Sequence, residues 1–385
     1  MKENQQYIAK TFPGLEEVLA GEISELGASG VEVLNRAVKF YGNRAMLYQS
    51  NLWLRTALKV LVPIHHFSCS GEKELYSAVY NYPWEKVFNI YNTFVIDGVV
   101  NSKFFRHSHY AALKTKDAIA DRFRDKYDKR PSVGKNNPDY RINLHIYRDQ
   151  CTLSLDSSGE SLHKRGYKAK NVKAPLNEVL AAGLILLSGW DKSSPFIDPM
   201  CGSGTLPIEA AMIAHNIAPG WYRRDFGFQS WHDYDHRLFQ ELKNKCRPQP
   251  SKSASPTIHA CDISRQAIET TRRNLEQAGL AKQVTTHETS LARYTPPETP
   301  GVSIINPPYD QKMKEQDIHS FYQEIGDLLK KHFDGYHVWI FSNHIKALKN
   351  VGLHPSKKYT LYNGPLECKF QKYAIYKGSL KKDKP

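Results

Sequence analysis

The chain has 385 residues, more than a single domain usually holds, so we expect two or three domains. Its formal net charge of +14, from 53 basic and 39 acidic residues, suits a polyanionic partner such as nucleic acid. No apolar stretch approaches the roughly 18 residues of a membrane span, and the six cysteines show no zinc or disulfide spacing. Because the start, MKENQQYIAKTF, also lacks a secretory apolar core, we expect a cytoplasmic protein without a metal site.

Helices and strands alternate through the first hundred residues, which predicts small α/β or α+β modules. The helices show apolar side chains at helical spacing, and the strands are rich in branched and aromatic residues. The predicted elements are a helix over 14–28, a strand over 31–42, a helix over 44–58, a strand over 59–68, a helix over 73–88 and a strand over 93–100.

A basic helix follows over residues 103–131, with nine basic and four acidic side chains between 101 and 131. One predicted buried face contains Leu113, Ala120, Phe123 and Tyr127. The helix is either an ordinary solvated one or a nucleic-acid surface, since the flanking KFFRHSHY mixes aromatic rings with cations. The candidate RNA contacts here are Lys103, Arg106, Lys114, Lys116 and Arg122.

Two alternating segments, 140–149 and 151–159, predict a hairpin. The next stretch, 161–173, contains five basic residues and no acid, and Lys164 and Arg165 within it are further candidates for RNA contact. We place the main domain boundary near residue 162.

The most informative segment is SPFIDPMCGSGTLPIEAAMIA, residues 194–214, which predicts a strand ending at Asp198, a glycine turn and a helix. Gly202 and Gly204 allow a ligand to lie against the loop and the helix N-terminus, as in a doubly wound α/β sheet. A dinucleotide fingerprint would have a third glycine where Pro207 stands. A carboxylate before the glycines suits the amino group of a sulfonium amino-acid cofactor, although a turn without a ligand is the alternative.

A second acid, Asp262, ends the strand TIHACD and could accept hydrogen bonds from both hydroxyls of a ribose. It follows Asp198 by 64 residues rather than about 20, which indicates an insertion. Rings and cations in the insertion, Phe226, Phe228 and Arg223 among them, predict either core packing or an RNA-facing rim.

The stretch VSIINPPYD, residues 302–310, predicts a short buried strand that stops at Asn306 beside the two acids. An exocyclic amine of a nucleobase is a poor nucleophile unless fixed acceptors hold its N–H bonds, and the oxygens of Asn306 and Pro307 are two such acceptors. Tyr309 could stack on the base, and Asp310 is a further candidate for the base edge or for proton acceptance. A rigid turn with no chemistry is the alternative.

These motifs resemble the class I S-adenosylmethionine-dependent methyltransferases that carry a THUMP domain, and specifically the large-subunit rRNA guanine-N2 methyltransferases. The similar segments are DPMCGSGTLPIEAA, NIAPG, NPPYD, SLHKRGYKAKNVKAPLNE, YNGPLECKF and KDAIADRF. The resemblance implies an α/β fold: a Rossmann-like domain with a mostly parallel seven-stranded sheet over 162–385. It would be preceded by a ferredoxin-like subdomain over 1–65 and a THUMP RNA-binding domain over 66–161.

The resemblance also implies site residues, with S-adenosylmethionine as cofactor and 23S rRNA as partner. The implied residues for the target base are Asn306, Pro307, Pro308 and Tyr309. Those for the cofactor are Asp198, Pro199, Cys201, Gly202, Gly204, Thr205, Asp262, Ile263, Ser290 and Asn306. The family usually has an aspartate for the adenine after the third strand, whereas this chain offers Glu288 or Ser290.

Other functions stay open on the sequence. NPPY also occurs in adenine-N6 methyltransferases acting on DNA or RNA, and an RNA-binding assembly factor without turnover would share the basic N-terminal half. A dinucleotide oxidoreductase and covalent catalysis by Cys201 are less consistent with the glycine loop. The modified nucleotide and the oligomeric state are not encoded in any motif.

Overall fold

The computed structural model describes residues 4–134, 137–168, 176–248, 256–308 and 315–376. The strands are β1 Gln5–Lys10, β2 Ser29–Leu34, β3 Ala37–Gly42, β4 Lys59–Ser68, β5 Thr93–Asn101, β6 Ser132–Val133, β7 Tyr140–Tyr147, β8 Gln150–Asp156, β9 Phe196–Asp198, β10 Ile258–Asp262, β11 Thr285–Glu288, β12 Val302–Ile305, β13 His337–Ser342, β14 Lys357–Asn363 and β15 Leu366–Ala374. The helices are α1 Glu16–Glu25, α2 Arg44–Trp53, α3 Glu72–Asn81, α4 Ser108–Tyr127, α5 Glu178–Ser188, α6 Thr205–Ala214, α7 His236–Lys245, α8 Arg265–Gln277 and α9 Glu315–His332. Across these described ranges, none of the helices is both long and apolar enough to cross a membrane.

The chain divides into two compact units. The first comprises Met1–Thr11, Leu19–Leu162 and Arg223–Lys245, and the second comprises Phe12–Val18, His163–Tyr222 and Cys246–Pro385. The predicted split near residue 65 has no counterpart in this division, because β4 pairs with both β1 and β8 inside one sheet. Separate domains over 1–65 and 66–161 therefore stay a prediction.

The first unit is built on an eight-stranded sheet with the order β2-β3-β1-β4-β8-β7-β5-β6. The predicted single strand over 31–42 is wrong, since β2 and β3 form an antiparallel hairpin in which Leu34 pairs with Ala37. Arg36 in the turn has φ 57°. A two-residue turn without glycine gives little sequence signal, because an asparagine-arginine pair is an uncommon choice for this conformation.

The buried face of helix α4 is partly the one that was predicted and consists mostly of small side chains, with Ala120 buried as expected. Phe123 is buried as expected, but Leu113 and Tyr127 are exposed, so that part of the predicted face is wrong. The start of the buried face approaches β5 closely: a Cβ placed on Gly98 would lie 2.8 Å from the Ser108 carbonyl oxygen and 3.3 Å from the Ala112 Cβ. Only small residues fit at that distance.

The insertion is a packed part of the first unit. Phe228 lies 4.5 Å from the ring of Tyr48 and 5.2 Å from that of Phe239, and Phe226 is buried beside it. The Tyr48 hydroxyl accepts the backbone N–H of Asp235 at 3.0 Å. Core packing is therefore the role of these rings, as one of the two interpretations predicted.

Replacing Phe228 with alanine is expected to destabilise the first unit by about 3 to 5 kcal/mol, because it leaves a cavity among buried rings. Hydrogen exchange of the full chain, read on peptides from α2 and β4, would report faster opening. Phe104→Ala removes an exposed ring of the same size and is the matched control, with an expected change below about 0.5 kcal/mol. Equal exchange in the two variants would contradict the assignment of the insertion to this core.

The second unit confirms the predicted mostly parallel seven-stranded sheet, with the order β11-β10-β9-β12-β13-β15-β14. β9 to β13 are parallel, and β15 runs antiparallel to β13 and pairs with β14. The strand order reverses between β9 and β12. Ligands in such sheets bind beyond the carboxyl ends of the strands at this reversal.

Candidate active site

A cavity of about 840 Å³ lies at the carboxyl ends of β9, β10 and β12. The size falls within the range of small-molecule sites, about 300 to 1,000 Å³. Its lining residues come from the glycine loop, from the ends of β10 to β12, from α9 and from the β14–β15 hairpin: Leu176, Asp198, Pro199, Met200, Cys201, Gly202, Ser203, Thr205, Leu206, Asp262, Ile263, Thr289, Ser290, Leu291, Ala292, Asn306, Pro307, Pro308, Phe321, Glu324, Ile325, Leu328 and Asn363.

Asp198 is a buried carboxylate that faces this cavity. Asp198 is only 1% exposed, and its Oδ1 accepts a hydrogen bond from the backbone N–H of Met200 at 3.2 Å. Burial raises the pKa of Asp198 well above its usual value, and repulsion from Asp262 adds to the rise. Within the described residues, no ion pair with Asp198 is found. A cationic ligand in the cavity would therefore stabilise its charged form.

The glycine loop is held from two sides. The N–H of Cys201 donates to the Cys261 carbonyl at 2.9 Å, and the N–H of Gly202 donates to Asp262 Oδ2 at the same distance. From α8, Thr271 Oγ1 donates to the Gly202 carbonyl at 3.0 Å and Asn274 Nδ2 donates to that of Ser203 at 2.8 Å. The loop is thus fixed by hydrogen bonds before any ligand is bound.

The two glycines have different roles. Gly204 has φ 80° and a Cβ there would lie 2.6 Å from Thr271 Cγ2, so this glycine allows the loop before α6 to approach α8 and does not line the cavity. Gly202 has φ 55° and lines the cavity, and a Cβ there would have no protein atom within 4 Å. Gly202 therefore leaves space in the cavity for a ligand.

These roles predict separable effects of alanine. Gly204→Ala is expected to lower stability by about 1 to 3 kcal/mol, through its backbone conformation and the contact with Thr271. Gly202→Ala meets only the backbone cost, and its methyl group enters the cavity. Thermal unfolding should show the larger loss of stability for Gly204→Ala. Calorimetric titration with S-adenosylhomocysteine should show the larger loss of affinity for Gly202→Ala. The reverse pattern would contradict this division.

Asp262 ends β10 and organises the neighbouring turn. Its Oδ1 accepts the N–H of Ser264 at 2.8 Å, and its carbonyl accepts the N–H of Thr289 at 2.9 Å. Ile263, next to it, is 76% exposed and lines the cavity. Of the two candidates for the adenine contact, Ser290 lines the cavity and Glu288 does not.

Asn306 follows β12 directly and lines the cavity with Pro307 and Pro308. Parallel pairing of β12 with β9 places Asn306 at the same edge as Asp198. Tyr309 and Asp310, the other residues of this motif, lie outside the described residues, so their proposed roles stay predictions.

Cys201 has the environment of a packed thiol rather than a nucleophile. Cys201 is buried, and its Sγ lies 3.7 Å from Thr271 Oγ1. Burial raises the pKa of the thiol well above its usual value. A thiolate is the reactive form of cysteine, so this site disfavours covalent catalysis.

Sequence reasoning missed one wall of the cavity. Phe321, Ile325 and Leu328 line it from α9, and Asn363 lines it from the end of β14. The spacing of three and four between the apolar residues was a signal for a helix face, but not for which ligand or core that face would meet. Asn363 lies in YNGPLECKF, a segment noted only for its family resemblance.

The predicted RNA contacts fall into two groups in the structure. Lys103, Arg106 and Lys164 are exposed, and Lys114 is half-buried with its Nζ 5.4 Å from the centroid of the Tyr76 ring. Lys116 pairs with Asp117 at 2.7 Å, and Arg122 forms two hydrogen bonds of 2.9 Å with Glu85, whose pKa this guanidinium lowers. The second group is therefore engaged by acids of the protein itself.

Two of the predicted RNA contacts are corrected by their burial. Arg165 is 1% exposed, and its Nε lies 3.5 Å from Oε1 of Glu209 on α6. Arg223 is buried and donates to the carbonyls of Ser158, Glu160 and Ser161. Both guanidinium groups hold chain segments together and have no surface to offer to a nucleic acid.

Three parts of the chain match known domain families. Residues 165–372, more than half of the chain, match an RMKL-like methyltransferase domain. Residues 69–156 match a THUMP domain, and residues 6–61 match an RlmL ferredoxin-like domain.

Similar proteins cover nearly the whole chain. A protein of Synechocystis sp. (strain ATCC 27184 / PCC 6803 / Kazusa) named "Putative RNA methyltransferase" is 37% identical over 96% of this chain and 97% of its own length. A "Ribosomal RNA large subunit methyltransferase K/L" of Syntrophotalea carbinolica is 38% identical, and this chain spans about half of it, 53%. A crystal structure of a "putative methyltransferase complexed with SAH" is 30% identical, with a TM-score of 0.86 over 98% of this chain and all of that one.

Proposed function

The chain belongs to the family of RMKL-like methyltransferase domains with a THUMP domain, and on that premise we propose that it methylates the exocyclic N2 amine of a guanosine in 23S rRNA. The broader class, an RNA methyltransferase that uses S-adenosylmethionine, follows from the family and its relatives. The choice of guanine, of N2 and of 23S rRNA is our proposal.

The cavity suits the cofactor by its chemistry. Asp198 is a buried carboxylate to which the amino group of a methionine moiety would supply a positive charge. Asp262, with a carboxylate at the end of β10, would accept from ribose hydroxyls, and Ile263 and Leu291 offer apolar surface to a purine. Gly202 leaves the loop open where the ligand would lie. When bound, S-adenosylmethionine supplies a methyl group activated by a positively charged sulfur.

Asn306 and Pro307 would act on the nucleotide. The amide oxygen of Asn306 and the carbonyl of Pro307 would each accept an N–H of the target amine, which draws its lone pair out of conjugation with the base. Pro308 follows at once, and the two prolines restrict the backbone and so keep these acceptors aimed. The residues orient the amine and do not form a bond to it.

The observation that supports this proposal most directly is that the ends of β9, β10 and β12 meet at one cavity. A cationic contact, a ribose contact and an amine contact are thereby available within the same site. A rigid turn at the end of a buried strand would not need two acids beside it.

The test is transfer of labelled methyl groups by the purified full chain. Radiolabelled S-adenosylmethionine would be incubated with 23S rRNA from a strain that lacks the gene and, as control, from the wild-type strain. We expect incorporation only into the first, and N2-methylguanosine on nucleoside mass spectrometry.

The other outcomes have defined meanings. N6-methyladenosine in the product, or transfer to duplex DNA, would favour the adenine-N6 alternative that shares Asn-Pro-Pro-Tyr. Binding of RNA with no transfer to any nucleic acid would favour an assembly factor. Either result would overturn the guanine-N2 proposal.

A further inference from the structure

One end of the eight-stranded sheet presents an exposed aromatic ring, that of Tyr147. Asn101 pairs with Tyr147 in the parallel β5–β7 ladder, and Tyr147 pairs with Gln150 on β8. Side chains of paired residues share a face, so Val99, two residues before Asn101, lies on this face as well. α4 packs on the opposite face, at Gly98. Tyr147 is accordingly 48% exposed, and Val99 is also exposed.

A loop after β5 adds a second ring at the same end. Arg148, in the turn between β7 and β8, donates its backbone N–H to the Asn101 carbonyl at 2.8 Å, and its own carbonyl accepts from Ser102 Oγ. Ser102 Oγ in turn accepts the N–H of Phe104 at 3.1 Å. Phe105 is buried and anchors the loop, while Phe104 is 39% exposed. Hydrogen bonds therefore hold the loop beside the β7–β8 turn.

Cations accompany both rings. Lys103 Nζ lies 5.0 Å from the centroid of the Phe104 ring, and Arg148 Cζ lies 5.3 Å from that of Tyr147. Arg106, in the same loop, is exposed. In the described residues no ion pair joins Lys103, Arg106 or Arg148 to a carboxylate, in contrast to Lys116 and Arg122 on α4.

Arg148 also has an unusual backbone conformation. Its φ of 58° is in the left-handed region, where glycine or asparagine is usual and an arginine is strained. A two-residue hairpin turn favours such angles at its central residues. The turn places the guanidinium 5.3 Å from the Tyr147 ring.

We propose that these five residues, Lys103, Phe104, Arg106, Tyr147 and Arg148, form an aromatic platform that binds unpaired nucleotides of the RNA. Exposed rings stack on bases only where the bases are not already stacked in a helix, whereas the neighbouring cations neutralise phosphates. A duplex would offer its phosphates but no free base faces. The proposal rests on the proposed function only for the identity of the partner as RNA.

The test compares binding of two probes by the full chain, measured by fluorescence anisotropy. The probes are a 12-nucleotide single-stranded RNA of mixed sequence and the 12-base-pair duplex made from it. Tyr147→Ala and Phe104→Ala should each weaken single-strand binding by about 5-fold or more, which is the effect of losing one stacked base, and change duplex binding much less. Tyr147→Phe keeps the ring and should bind like the parent chain.

A matched control is Tyr91→Ala, because Tyr91 is a tyrosine of the same unit that is 85% exposed and lies outside the platform. It should leave both affinities unchanged. Arg148→Ala should lower the slope of log affinity against log salt for the single strand by about 0.7, the value for one released phosphate contact.

Several results would overturn the platform. These are unchanged single-strand binding in Tyr147→Ala, an equal loss in Tyr91→Ala, or equal losses for single strand and duplex. Binding of S-adenosylhomocysteine, measured in parallel, should be unaffected by every platform variant. If RNA binding depends on Tyr147 but no guanine is methylated, only the proposed function is refuted. If guanine N2 is methylated and RNA binding does not depend on Tyr147, only the platform is refuted.

Discussion

Replacing Asn306 with alanine is expected to lower kcat for methyl transfer by at least about 100-fold, while binding of S-adenosylhomocysteine and of RNA changes less than about threefold. Loss of one preorganised hydrogen-bond partner at a reacting centre typically costs a factor of 10² to 10³ in kcat. The amide oxygen acts on the amine as it becomes a nucleophile, so its removal should affect the rate rather than the ground-state affinity. Single-turnover transfer with saturating RNA measures this rate.

Two further variants make the result specific. Asn306→Asp keeps an acceptor oxygen and should retain more activity than Asn306→Ala. Asn363→Ala removes an asparagine that lines the same cavity from β14, away from the carboxyl ends of β9, β10 and β12, and should lower kcat only a few-fold. If Asn363→Ala were as inactive as Asn306→Ala, or if Asn306→Ala kept near-normal kcat, the acceptor role of Asn306 would be refuted.

The strand ends of the second unit could be predicted because each carries a local signal. β9 and β12 are short apolar runs bounded by proline, and Ser264, which follows Asp262, caps α8 through its side chain. Once such strands are parallel, topology alone brings their carboxyl ends together. The polar residues of the cavity follow from these two rules.

Burial of charged residues could not be predicted in the same way. Arg122 on α4 and Glu85, which follows α3, are 37 positions apart, and nothing in the sequence indicates that they form a pair. Arg165 and Glu209 are farther apart still. A basic side chain therefore gives the same sequence signal whether it faces solvent or completes a buried pair.

The buried pair has a consequence for the site itself. Glu209 lies on α6, the helix that follows the glycine loop. Its Oε1 accepts a hydrogen bond from the Tyr167 hydroxyl at 2.9 Å and lies 3.5 Å from Arg165 Nε. Nearby, Lys168 donates to the carbonyl of Leu176, a residue of the cavity wall. Arg165, Tyr167 and Lys168, from the described part of the basic segment, thus hold elements that border the cavity.

Replacing Asp198 with asparagine is expected to lower the affinity for S-adenosylhomocysteine by at least about 30-fold, because truncating one partner of a buried charge pair typically costs about 2 to 5 kcal/mol. In the free protein the same change should raise the melting temperature. Burial raises the pKa of Asp198, so at neutral pH the folded state is penalised for ionising a group that is charged without cost in the unfolded chain. Asparagine removes that penalty and can still accept the N–H of Met200.

The pH dependence separates this explanation from simple loss of shape. A cationic amino group binds the ionised carboxylate, so the affinity of the parent chain should fall as the pH drops through the raised pKa of Asp198, above the range of an ordinary aspartate. Asp198→Asn should bind weakly with no such dependence. Asp262→Asn is the matched control: it removes a carboxylate from the same cavity, and calorimetry across pH should show lower affinity with a pH dependence that remains but lies at lower pH, because the repulsion from Asp262 no longer adds to the pKa of Asp198. A steep pH profile that survives in Asp198→Asn would place the cationic contact elsewhere.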